Sequence, residues 1–176
     1  PIPPERNILR TYLDDLNNIL RLFFNRLANN VNLLTGEYGG QFIEKPNGLF
    51  FSTTDQPIAV VNTAQVVSFE NTYLSEAIEI NGGSNSQITA TYSGIYNFQF
   101  VAQAASGSAS SKNVYVWIRR DGTDINYSAR HLVLQGSNDS NDIAWSFNID
   151  LQAGSYIEMM WSSDDIDTKL DTEAAV

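Results

Sequence analysis

Between residues 5 and 34 the chain has neither glycine nor proline, and apolar side chains recur at Leu9, Leu13, Leu16, Leu20, Phe23 and Leu27. That spacing of 4, 3, 4, 3 and 4 residues is the a/d seam of a heptad repeat. It predicts an amphipathic helix over 1–34 behind the stiff lead-in "PIPP". Ile8, Tyr12, Ile19, Phe24 and Val31 widen the apolar stripe, while Arg10, Asp14, Asn17, Arg21 and Asn25 form the polar side. An amphipathic helix most often packs on its own domain. Here the regularity and length of the seam favour self-association, and its breadth predicts three strands, a trimeric coiled-coil-like stalk. The register continues through Asn30, a polar residue of the kind that fixes alignment in such bundles. "TGEYGG" then stops the helix with glycine, and "EKPNG" forms a turn, so 35–48 is expected to be a linker.

Beyond residue 48 the period shortens to two. Strands are expected at 49–52, 58–62, 65–69, 76–80, 87–92, 94–103, 112–120, 130–135, 142–151 and 155–163. The turns "NGGSNS" and "DGTD" and the small-residue loop 105–111 separate some of them, and "QAG" joins the last two as a hairpin-like turn. Tyr96, Phe98 and Phe100 share one strand face. So do Val114, Val116 and Ile118, then Trp145, Phe147, Ile149 and Leu151, then Ile157, Met159 and Trp161. These sets predict one core inside a β-sandwich. Tyr115 and Trp117 point the other way, and an outward Tyr-x-Trp pair is expected to lie at a subunit interface.

Composition narrows the functional classes. The chain has 176 residues, no cysteine and a net charge of −10. Residues 1–45 hold five basic and five acidic side chains, leaving five basic and fifteen acidic in 46–176. Such a domain repels phosphate backbones and anionic membranes, so nucleic acid is not an expected partner. No apolar run is long enough for a membrane span, and the N-terminus has no basic and apolar secretory pattern.

Catalytic constellations are not apparent. The one histidine, His131, follows Arg130 on a strand and reads as a surface or satisfied residue. The serines stand outside any Gly-x-Ser-x-Gly elbow, and no glycine-rich loop has the lysine and following helix of a phosphate cradle. Carboxylates cluster at Asp139 and Asp142 and at Asp164, Asp165, Asp167 and Asp171. In loops these read as solvated groups; calcium is the one cation their chemistry leaves open, without the spacing of a twelve-residue calcium loop. The expectation is no enzyme and no cofactor.

"SGIYNFQF", "NVYVWIRRDGTDI" and "AWSFNIDLQAGSYIEMMW" together resemble the jelly-roll head of complement-type and tumour-necrosis-factor-type proteins. The shared features are Gly94, Tyr96 and Phe98, the turn Asp121–Gly122, and Leu151, Gly154 and Ile157. "FSTTDQ" (Phe51 to Gln56) and "NTAQVVSF" (Asn62 to Phe69) resemble more closely a bacteriophage version of that head, found in fibre and related virion proteins. The resemblance covers about 49–163.

The resemblance implies a homotrimer without catalysis: helix 1–34 for trimerisation and virion anchoring, and a jelly-roll head over 49–176. It implies assembly in the host cytoplasm into the virion, as a fibre or decoration protein. Its partners would be capsid, portal-vertex or tail proteins and, at the head, a host surface glycan or protein. The rival readings are a capsid cement protein with no receptor role, a secreted binding module, and a polysaccharide-degrading enzyme; the last has neither a β-helix repeat nor an acid pair. One feature departs from the pattern. Heads of this type close with a hydrophobic C-terminal strand, whereas "SSDDIDTKLDTEAAV" after Trp161 shows no such run, so a central strand is expected to be missing.

Overall fold

The computed structural model describes residues 4–35, 45–81 and 83–173, with helix side chains over 8–31. The chain divides into two compact units, Pro1–Glu44 and Lys45–Val176. The first contains helix α1 (Pro4–Thr35), unbroken over 32 residues. At 1.5 Å per residue it is about 48 Å long. The expected linker 35–48 lies mostly outside the described residues, and its last two positions, Asn47 and Gly48, already belong to a strand.

The second unit is antiparallel β. In chain order its strands are β1 (Asn47–Phe51), β2 (Gln56–Pro57), β3 (Gln65–Val66), β4 (Asn71–Glu76), β5 (Ile78–Ile80), β6 (Ile88–Ala90) and β7 (Gly94–Ser106). There follow β8 (Ser111–Arg120), β9 (Thr123–Asp124), β10 (Arg130–Gln135), β11 (Asp139–Leu151), β12 (Tyr156–Ser163) and β13 (Thr168–Asp171). One sheet runs β10-β8-β12-β6-β5, with β3 on β12 and β9 on β8; a second runs β11-β7-β13-β2; β1 and β4 form a two-stranded ribbon.

The apolar faces of both larger sheets line one core. Val114, Val116 and Ile118 are buried from β8, Ile157, Met159 and Trp161 from β12, and Ile149, Leu151, Phe100 and Leu170 from the other sheet. Tyr96, Phe98, Trp145 and Phe147 pack against this cluster while half-buried. Phe100 and Trp145, opposite one another in the β7–β11 register, meet edge-to-face at 5.2 Å. Burying each large side chain stabilises by roughly 1.5–3 kcal/mol.

Several expectations are corrected. Residues 58–62 form a turn, not a strand. Ile58 is buried, Val60 and Val61 are exposed, and Asn62 takes a positive φ of 56°. Only Gln65 and Val66 of "QVVSF" form a strand, and β4 arises from "NTYLSE", whose alternation is too polar to announce a strand. "QAG" is no hairpin. β11 pairs with β7 and β12 with β8, so the chain crosses from one sheet to the other there, with Gly154 at φ 82°.

The expectation that no strand follows Trp161 is also overturned. β13 inserts between β7 and β2, with Thr168 and Leu170 buried and Lys169 opposite Pro57. With a single aliphatic residue in four, "TKLD" carries almost no hydrophobic signal.

Candidate interaction surfaces

Each seam residue of α1 is exposed. Leu9, Leu13, Leu16, Leu20, Phe23 and Leu27 are between 40% and 60% exposed, and Ile8, Tyr12, Ile19, Phe24 and Val31 are exposed as well. Phe23 and Phe24 touch edge-to-face at 5.8 Å. Leu22, outside the seam, is exposed too. Heptad spacing aligns the stripe along one side of the helix, and no residue of that stripe among those described is buried.

Tyr115 and Trp117 do share the outer face of β8, as the alternation requires, but each has a partner within the chain. Tyr115 lies opposite His131 in the β8–β10 register, and their rings stack at 4.6 Å. His131 Nε2 is 2.8 Å from Asn113 Oδ1; Asn113 donates from Nδ2 to Asp164 Oδ2 (2.6 Å) and from its backbone N–H to Asp164 Oδ1 (2.8 Å). Burial pushes the Asp164 carboxyl up, but the two Asn113 donors and the nearby imidazole outweigh it and hold the group below its ordinary value. Trp117 is half-buried on the strand that also carries Arg119; Arg119 Nε donates to Asp124 Oδ1 at 2.8 Å and, with the Trp117 indole as a lesser influence, holds that carboxyl below its ordinary value.

Of the other clustered carboxylates, those of Asp139, Asp165 and Asp171 accept turn and strand-end bonds. Asp139 Oδ2 accepts from the Gln135 N–H, and Asp165 Oδ1 from the Asp167 N–H. Lys169 Nζ lies 2.6 Å from Asp55 and 2.9 Å from Asp171. Lys169, with the Thr172 N–H and hydroxyl, drives the Asp55 carboxyl far below its usual range. Among the described residues no three His, Cys, Asp or Glu side chains are gathered as a metal site.

Two features lay outside the sequence reading. Lys112 is fully buried and donates from Nζ to the Ser108 and Gly136 carbonyls, tying together the β7–β8 and β10–β11 turns. The second is an open groove of about 520 Å³, lined on one side by Pro46 to Phe50 and on the other by Tyr96 to Val101. Phe69, Ile78, Ile157 and Met159 contribute to its lining. Its only forewarning in the sequence was the weak closing strand. Neither a protein-family model nor a curated protein sequence matches the chain.

Proposed function

We propose that this chain is a non-enzymatic structural protein of a bacteriophage particle, a homotrimer mounted through its helix and projecting a jelly-roll head. The observation that carries the reading is the uncovered heptad seam from Leu9 to Leu27. A helix of about 48 Å with such a stripe in water demands a partner, and identical copies supply a matching seam. The head supports the jelly-roll part: the chain passes from β7 in the four-stranded sheet to β8 and β10 in the seven-stranded one, back to β11, over to β12 and back to β13.

Function then resides in geometry. Three heads on one stalk multiply weak contacts with a host surface or with neighbouring virion proteins. The acidic head directs those contacts away from nucleic acid and anionic lipid. A gold-labelled antibody against the head, applied to purified particles of the phage encoding the chain, is expected to decorate their surface. Absence of label on intact particles, with label on soluble chain, contradicts the reading.

A further inference from the structure

β7 is paired with β11 along its whole length, from Gly94↔Leu151 to Ser106↔Asp139. On its other side β13 pairs only with Gln103 to Ser106, four of the 13 residues. The other nine, Gly94 to Ala102, have no strand on that side among the described residues. The groove runs along this stretch, with β1 on its far wall. β13 does not continue into it: Thr172 turns its N–H and hydroxyl to Asp55, 3.0 Å each, instead of pairing on toward Ala102.

We propose that the groove is a strand-acceptor slot, which takes one extended segment of another polypeptide as an added strand antiparallel to β7. Three observations define the occupant. An open central edge offers a row of main-chain donors and acceptors that only a strand can satisfy together. β13, on the same edge, runs antiparallel to β7, and the occupant is assigned the same direction so that it continues that ladder. The walls fix the side chains. Phe50, Phe69, Phe98 and Met159 offer an apolar floor, while Asn97 and Gln99 alternate to the outside. Among the described residues no charged one lines the groove, in a chain of net charge −10. The occupant is therefore uncharged over the inserted stretch, apolar at every second position and polar between. The proposal does not depend on the helix seam.

The probe is a blocked nine-residue peptide alternating valine with serine, added to the full chain. It is expected to bind saturably, to raise Tm, and to slow hydrogen exchange at Gly94–Ala102 amides that do not bond β11. The same peptide N-methylated at alternate residues keeps its side chains and loses main-chain donors; it is expected to bind at least about tenfold more weakly. Absence of binding, or equal binding of the methylated peptide, overturns the proposal. So does protection of these amides before peptide is added.

Discussion

The phenol ring of Tyr115 lies nearly parallel to the imidazole of His131, 13° between planes and 4.6 Å between centroids. The pair is formed across the β8–β10 register, and His131 is held in turn through Asn113 by Asp164. An outward aromatic expected to await a subunit is thus already stacked within its own sheet. With Tyr115 still 42% exposed, the stack and a further contact are compatible. A double-mutant cycle on Tyr115→Ala and His131→Ala is expected to return a coupling of about 0.5–1 kcal/mol by chemical denaturation. Strict additivity would mean that the stacking stabilises nothing.

Acid sensitivity follows from the depressed carboxylates. Asp55, Asp124 and Asp164 have lowered values in the folded chain, so their stabilisation is full above the unfolded carboxylate value, about 3.9. It is lost as pH falls through the folded values, because the unfolded chain then binds protons first. Tm is expected to drop between about pH 4 and pH 2, and the drop should be shallower in Asp55→Asn, which removes the most depressed group. Lys169 has the opposite sign: raised by Asp55 and then Asp171, its contribution holds below its unfolded value and fades as pH rises through the folded one. An Asp55→Asn titration parallel to the parent's would contradict the assignment.

The core makes a sharper distinction at Trp161, fully buried with an indole N–H that has no hydrogen-bond partner among the described residues. Trp161→Phe removes that unsatisfied donor while keeping an aromatic ring, and is expected to cost less than about 2 kcal/mol. Trp161→Ala leaves a large cavity and is expected to cost about 3–5 kcal/mol. Urea unfolding of both variants checks the ordering; equal losses would show that the indole nitrogen is satisfied in solution.

Lys112 tests whether a buried cation holds two turns. Lys112→Met keeps most of the aliphatic stem and leaves the Ser108 and Gly136 carbonyls without their donor. The expected loss is about 1–2 kcal/mol, with faster hydrogen exchange confined to residues 107–111 and 136–139. A variant as stable as the parent, with unchanged exchange, removes this role.

What the sequence made legible was whatever repeats. The heptad of α1, the alternation of Val114, Val116 and Ile118, and the run 130–135 all follow from period alone. Pairing did not follow, because the sheet a strand joins is set by tertiary partners: "QAG" has hairpin chemistry yet bridges two sheets. Short polar strands such as β4 and β13 escaped because one or two aliphatic residues make no pattern. "IAVVN" looked like a strand and is a turn, since its backbone is bent by Asn62 and held to Ser163 through the Asn62 N–H. Lys112 escaped because a lysine at a strand start is ordinarily solvated. The groove exists because β13 covers only Gln103 to Ser106 of β7, leaving Gly94 to Ala102 paired on one side; such partial pairing leaves no local pattern beyond the weak closing strand.

The central claim concerns the seam, and solution mass tests it most directly. Light scattering on the full chain at micromolar concentration is expected to give three times the 19.6 kDa chain mass. The double variant Leu16→Asn, Leu20→Asn is expected to lower that mass while leaving the β-sheet circular dichroism of the head unchanged. A parent chain that is monomeric at that concentration would contradict the account.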